Sequence, residues 1–161
     1  MKRLIVLFGI IVAVLSMLIA YSTQAQDQKE IHTMKLNAGI ITSKLQESKE
    51  FYLKVLNFGV TFENEFYILM HTPDHRSEVA FLLPDHPTQK PVFQHGFQGS
   101  GIFFTIEVDE VDEHYSRIKS LGIPIEIALR DEPWGDRHFA IVDPNGVSID
   151  VVKYTPQTEK P

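Results

Sequence analysis

The chain has 161 residues, of which 43% are hydrophobic and 22% charged, with a formal net charge of −6 and no cysteine. One ordinary globular domain is therefore expected, and disulfides, thiolate metal sites and a lipidated N-terminal cysteine are excluded. The acidic balance disfavours binding to nucleic acid or to anionic membranes.

The first 25 residues predict an export signal. Lys2 and Arg3 precede an apolar run at 4–20, and the small residues Thr23 and Ala25 are typical of a cleavage site. The alternative is an uncleaved anchor, for which a run of about 17 residues is near the lower length limit. We favour cleavage after Ala25, and with either a signal or an anchor the domain is expected outside the cytoplasm, in a bacterial periplasm. Loss of Lys2 and Arg3 with the signal takes the formal charge from −6 to −8.

Beyond a flexible lead at 26–35, the hydrophobic pattern predicts one strand, one helix and three strands, and then the same order again. The first set is predicted at 36–42, 46–56, 58–62, 65–71 and 78–83. The second set is predicted at 101–108, 111–121, 123–129, 137–142 and 147–152, with Asp109 as the helix N-cap. The proline- and glycine-rich stretch 84–100 is expected to be a long linking loop, and 154–161 a tail.

The two predicted helices end in similar sequences. Residues 52–60 read YLKVLNFGV and residues 115–123 read YSRIKSLGI, so tyrosine, glycine and aliphatic residues recur at matching positions. Such repetition is a signal of the fold, and it predicts an α+β domain built from two βαβββ modules.

The most informative run is 131–152, which predicts a β-hairpin. Its turn, Asp143-Pro144-Asn145-Gly146, contains a proline that presets φ, followed by residues that tolerate positive φ. Late in the second strand, Asp150 is a carboxylate between apolar neighbours. A charged group in that position requires solvent or a functional reason.

This hairpin and the repeated module resemble the vicinal oxygen chelate superfamily, which includes glyoxalase I, extradiol dioxygenases and bleomycin-resistance proteins. The hairpin is most similar to the bleomycin-resistance-like branch, and the domain is predicted to span 36–153. The resemblance implies a cup-shaped, partly open β-barrel with the site inside. It also implies that the carboxylate seven residues after the turn aspartate is often a metal ligand, the spacing of Asp143 and Asp150. Bleomycin-resistance proteins work as homodimers without a catalytic metal, which implies a homodimer and no cofactor here.

The family's four metal-ligand positions are matched by Asn37, Leu82, Phe103 and Asp150. Leucine and phenylalanine cannot ligate a metal, and asparagine is a weak donor for a transition metal. Shifting a strand by two residues keeps the same face but still supplies no metal-binding set: Lys35 or Gly39, Ala80 or Pro84, Gly101 or Thr105, and Ser148 or Val152. The sequence therefore predicts no metal site.

The other histidines do not suggest a second site. His71 and His75 have helical spacing, but Pro73 between them predicts a turn. The remaining four are expected in the lead, in loops or on a helix surface: His32, His86, His95 and His114. There is no nucleophile elbow and no phosphate-binding glycine loop.

The residues instead favour an apolar cup that binds an aromatic or planar small molecule. Nine residues are predicted to line it: Asn37, Tyr67, Met70, Leu82, Phe103, Trp134, His138, Phe139 and Asp150. Alternatives stay open for five of them, namely Leu82 and Phe103 as core, Trp134 as a cap on the barrel end, and Asn37 with Asp150 as a buried hydrogen-bonded pair. The competing functions are a metal-dependent lyase, isomerase or dioxygenase, and a structural or partner-binding role with a filled cup.

Overall fold

The computed structural model describes residues 35–155, so the predicted export signal lies outside the described residues. The first module contains β1 (Ala38–Ile41), α1 (Leu45–Leu56), β2 (Gly59–Glu63), β3 (Tyr67–His71) and β4 (Glu78–Leu82). The second contains β5 (Phe103–Glu107), α2 (Val111–Ser120), β6 (Ile127–Asp131), β7 (Arg137–Val142) and β8 (Ser148–Lys153). A 3₁₀ turn at Pro91–Phe93 lies in the linking loop. Neither α1 nor α2 has the length and apolarity that crossing a bilayer requires.

Both sheets have the same topology. In the first, β1 pairs in parallel with β4 and the order is β1-β4-β3-β2; in the second, β5 pairs in parallel with β8 and the order is β5-β8-β7-β6. Within residues 35–155 the two sheets are not hydrogen-bonded to each other. The predicted α+β fold of two βαβββ modules in a partly open arrangement is therefore confirmed.

Each sheet buries one face against its own helix. On β3 and β4, Ile68, Met70 and Phe81 are 0% exposed and pack with Tyr52 of α1. The corresponding core of the second module consists of Phe139, Ile141, Ile149, Val151, Val111 and Ile118. Because side chains alternate along a strand, the intervening residues point away from the helices. We call that side of each sheet the open face.

Most element boundaries differ from the prediction by one or two residues. Two further differences lie in the second module. Glu110 is the residue before α2 and makes no side-chain cap, so the prediction that Asp109 caps this helix was wrong. The sixth strand begins at Ile127 instead of Ile123. Pro124 cannot donate to a ladder, and the pairing with β7 is interrupted by a register shift between Ile127 and Arg130, so only the later part forms a regular strand.

The turn between β7 and β8 joins the two modules. Asp143 is 4% exposed and accepts hydrogen bonds from the backbone N–H groups of Asn145 and Val147, at 2.8 and 2.9 Å. Its other oxygen accepts from the Tyr52 hydroxyl at 3.3 Å. Burial, together with the neighbouring Asp143 carboxylate, raises the pKa of Tyr52. The Asn145 side chain donates to Ser48 of α1 at 2.9 Å. We call these five residues the junction cluster.

Gly146 in the same turn allows a close approach between backbones. Its φ is +88°, and an added Cβ would lie 2.9 Å from the carbonyl oxygen of Gly99. Gly146→Ala is expected to lower the free energy of unfolding by about 2–4 kcal/mol, measured by urea denaturation. Gly101→Ala is the matched control, because Gly101 has a φ of +87° with nothing within 4 Å of the added Cβ. Equal losses for both variants would show that the contact with Gly99 is not a constraint.

Candidate functional site

The open face of the second sheet carries an exposed stripe along β5. Phe103 is 67% exposed, and Thr105 and Glu107 are exposed as well, whereas Phe104 and Ile106 between them pack on the core. On the neighbouring strand, Asp150 lies directly opposite Thr105. An aromatic ring, a hydroxyl and two carboxylates therefore share one side of this sheet.

Next to that stripe, four charged side chains form what we call the histidine–carboxylate cluster. His138 Nδ1 lies 2.7 Å from Asp150 Oδ1, and His138 Nε2 lies 2.9 Å from Glu132 Oε1. Arg130 Nε donates to the same Glu132 oxygen at 2.6 Å. The His138 side chain is 13% exposed, the Asp150 side chain 33% and the Glu132 side chain 10%. An ionised carboxylate only accepts hydrogen bonds, so with both carboxylates ionised the two contacts form together only when each ring nitrogen of His138 carries a proton and the ring is an imidazolium.

The electrostatics agree with this geometry. Burial by itself lowers the pKa of His138, but its hydrogen bonds to Asp150 and Glu132 outweigh burial and raise that pKa. The hydrogen bond from His138, followed by that from Arg130, lowers the pKa of Glu132. Two cations then balance two anions, so the cluster is neutral while His138 is protonated.

A pH dependence of folding follows from the raised pKa of His138. The protonated ring stabilises the folded state, so its contribution is complete below the unfolded pKa of about 6.5 and is lost as pH rises through the higher folded pKa. We expect the free energy of unfolding, measured by urea denaturation, to decline over that range. His138→Gln is expected to remove this part of the decline, and parallel curves for both proteins would contradict the assignment.

The open face of the first sheet is engaged in internal contacts. The Asn37 amide donates to Glu78 Oε2 at 3.0 Å, and the Thr61 hydroxyl donates to Glu78 Oε1 at 3.2 Å. The rings of Phe62 and Tyr67 lie 6.2 Å apart. Burial, and then the charge of Glu78, raise the pKa of Tyr67. Asn37 and Asp150 thus bond to different partners and do not form the pair considered from sequence.

Six of the nine predicted residues lie on the open faces: Asn37, Tyr67, Leu82, Phe103, His138 and Asp150. Met70 and Phe139 do not, because both are 0% exposed in the core between sheet and helix, and this part of the prediction is corrected. Phe103 is exposed and not a core residue. Trp134 lies on the turn between β6 and β7, is 57% exposed, and donates from Nε1 to Asp136 at 2.8 Å.

Three participants were missing from the predicted set: Arg130, Glu132 and Glu107. The first two reach His138 only through the pairing of β6 with β7, in which Arg130 lies opposite His138. A separate cavity of about 170 Å³ lies between the modules, lined by residues that include Thr42, Lys44, Phe97 and Asn145. None of the nine predicted residues lines this cavity.

The fold and the sequence identify the family. Residues 31–151 match the model of the Glyoxalase/Bleomycin resistance protein/Dioxygenase superfamily. The chain belongs to this superfamily. The resemblance inferred from the hairpin and the repeated module is thereby confirmed.

Individual members of the superfamily are similar over different lengths. A bleomycin resistance protein of Geobacillus stearothermophilus is 46% identical over 41 residues, which cover 25% of this chain and only 31% of that protein. A glyoxalase/bleomycin resistance protein/dioxygenase from Nocardioides shares the fold with a TM-score of 0.64 at 20% identity, covering 88% of this chain and 95% of that one. A bleomycin-binding protein solved with bleomycin has a TM-score of 0.56 at 21% identity, covering 76% of this chain and all of that one.

The residues at the superfamily's metal positions do not fit a metal centre. The backbone bond from Thr42 N to Leu82 O in the first module is equivalent to the bond from Val108 N to Val152 O in the second. The residue equivalent to Asp150 in the first module is therefore Ala80, two residues before the Leu82 inferred from the sequence. Neither Ala80 nor Leu82 has a donor atom, and Asp150 is already paired with His138. Within residues 35–155, no group of three or more His, Asp or Glu side chains is arranged to hold a metal ion.

Proposed function

We propose that this superfamily member is an exported protein that binds an aromatic or planar small molecule on the open face of its second sheet, without a catalytic metal. The observation that carries the proposal is Phe103, an aromatic side chain 67% exposed on β5, near Thr105 and Asp150. Apolar rings with a few convergent polar groups are the usual composition of a small-molecule site.

The negative charge of the protein also supports the proposal. Glu107 is exposed on the same stripe, and the chain without its predicted signal carries a formal charge of −8 because Lys2 and Arg3 are lost. An acidic face raises the local concentration of cations, so we expect a cationic ligand. In the periplasm, a protein of this kind would sequester such a compound outside the cytoplasm.

A homodimer is part of the proposal. In the single chain the ring of Phe103 faces solvent, and a second copy placed over the open face would enclose both the ring and its ligand. Sedimentation velocity tests this point, and Phe103→Glu is expected to shift the protein towards monomer.

Ligand binding is tested with planar aromatic cations, for which proflavine and bleomycin are suitable probes. Binding is expected to raise the melting temperature and to change the fluorescence of Trp134, the only tryptophan. Phe103→Ala is expected to weaken binding roughly tenfold. The control is Phe62→Ala, which removes a phenylalanine that is 52% exposed on the first module. No response to either probe would contradict the proposal.

The alternative is a metal-dependent lyase, isomerase or dioxygenase, and the position of Asp150 is the observation that favours it. Metal analysis of untagged protein separates the two functions. Stoichiometric Fe, Mn, Ni or Zn that is lost in Asp150→Asn would favour the metal-dependent enzyme over the binding protein.

A further inference from the structure

One oxygen of Asp150 is engaged and the other is available. Oδ1 is held by His138 Nδ1 at 2.7 Å, whereas no donor within residues 35–155 contacts Oδ2. The side chain is 33% exposed, so Oδ2 is accessible from the open face. Across the strand pair lies Thr105, whose hydroxyl can accept a second hydrogen bond.

We propose that Asp150 binds the protonated amine or amidine group of the ligand, and that His138 is the positioning residue that holds Asp150 in place of a metal ion. This inference rests on the proposed small-molecule function and specifies the chemistry of the ligand. It defines the ligand class as aromatic amines and amidines.

The charges around His138 favour a monocation over a divalent metal. Arg130 on β6 and Glu132 in the following turn face the His138 ring from one side, and Asp150 on β8 faces it from the other. Glu107 on β5 lies farther out. A divalent ion would sit beside the Arg130 guanidinium and would find a single free carboxylate oxygen, whereas metal sites use three or more protein donors. An amine or amidinium needs only one or two acceptors.

The distance between Phe103 and Asp150 allows one ligand molecule to contact both side chains. Phe103 pairs with Ser148, two residues before Asp150, so its Cβ lies about 8 Å from that of Asp150 by strand geometry. A ring that stacks on Phe103 therefore places a short cationic substituent near Asp150 Oδ2. The turn carrying Glu132 keeps His138 from rotating, because each ring nitrogen has a carboxylate partner.

The experiment compares benzamidine with benzamide, which have the same shape and differ in charge. Binding is measured by two-dimensional NMR titration, and a preference for benzamidine of roughly tenfold or more is expected. Asp150→Asn should abolish this preference. His138→Phe and His138→Gln should reduce it even when the variant stays folded, because Asp150 is no longer held. Asp131→Asn is the control, since Asp131 pairs with Arg137 and lies on the opposite face of the sheet.

A spectroscopic measurement on the wild-type protein supports or contradicts the role of His138 without any variant. The Nδ1 nitrogen, which faces Asp150, should show the ¹⁵N shift of a protonated ring nitrogen at neutral pH. An unprotonated Nδ1 could not donate to Asp150 and would overturn the positioning role.

The two proposals fail in different ways. Equal affinity for benzamidine and benzamide, or a preference that survives in Asp150→Asn, would overturn the cation subsite while aromatic binding stands. Absence of binding by benzamidine, proflavine and bleomycin alike would overturn both. One equivalent of Mn²⁺ or Zn²⁺ bound through Asp150 would overturn the replacement of a metal by His138.

Discussion

Replacing Asp143 by alanine is expected to lower the free energy of unfolding by about 3–5 kcal/mol. The carboxylate accepts the backbone N–H groups of Asn145 and Val147, the Asn145 amide and the Tyr52 hydroxyl, and it is 4% exposed. Alanine leaves these donors without partners in a place that water reaches poorly. Each buried donor without a partner costs about 1–3 kcal/mol, although relaxation of the turn reduces the sum.

Two variants test the cause of that loss. Tyr52→Phe removes one donor and keeps the ring, so it should cost only about 1 kcal/mol. Asp74→Ala changes the aspartate in the corresponding turn of the first module, which is exposed and bonds to Thr72 and Arg76. Its effect should be a small fraction of that at Asp143. Urea denaturation gives all three values, and similar losses at Asp74 and Asp143 would contradict the importance of burial at the junction.

The second large effect concerns two phenylalanines that were both predicted to line the cup. Phe139 is 0% exposed and its ring contacts Tyr115 at 5.3 Å between centroids, so Phe139→Ala is expected to cost about 3–5 kcal/mol through the cavity it leaves. Phe103 is 67% exposed, so Phe103→Ala should change the free energy of unfolding by about 0.5 kcal/mol or less.

The pair of variants separates stability from binding. In the monomer, where the ring faces solvent, Phe103→Ala should keep the melting temperature, and it should lose affinity for aromatic cations. A conservative Phe139→Leu, which stays folded, should lower the melting temperature and keep that affinity. A Phe103→Ala protein that unfolds like Phe139→Ala would place Phe103 in the core after all.

The order of elements could be predicted from the sequence because their signals are local. The turn residues at 143–146 and the glycine after each helix mark boundaries, and Asn57 ends α1 with a φ of +58° as a left-handed residue should. The repeat then required both modules to share one topology.

Which face of β3 and β7 is buried could not be predicted, because both faces of these strands carry apolar residues. In β3 the sequence Tyr67-Ile68-Leu69-Met70 has no polar residue to mark the exposed side. In β7, Phe139 and Ile141 are buried, but Ala140 and Val142 on the open face are apolar as well. Alternation identifies two faces, and only the position of the helix decides which one is covered.

The histidine–carboxylate cluster also could not be predicted from the sequence. Asp150 and His138 are 12 residues apart, and their contact depends on the register of the hairpin. Arg130 and Glu132 join only because the pairing shifts between Ile127 and Arg130. A one-residue change in that shift would turn both side chains to the other side of the sheet.

The junction cluster affects the order in which the parts of the nascent polypeptide fold. Its hydrogen bonds to α1 link residues 91 and 97 positions apart, so these contacts of the helix form only after the final hairpin has been synthesised. Contacts of such long range form late and slow the folding reaction. A chain synthesised only as far as the first module therefore lacks the residues that hydrogen-bond to Ser48 and Tyr52 of its first helix. Under the export proposed above, the late closure of these contacts would leave the translated segment unfolded while it crosses the membrane.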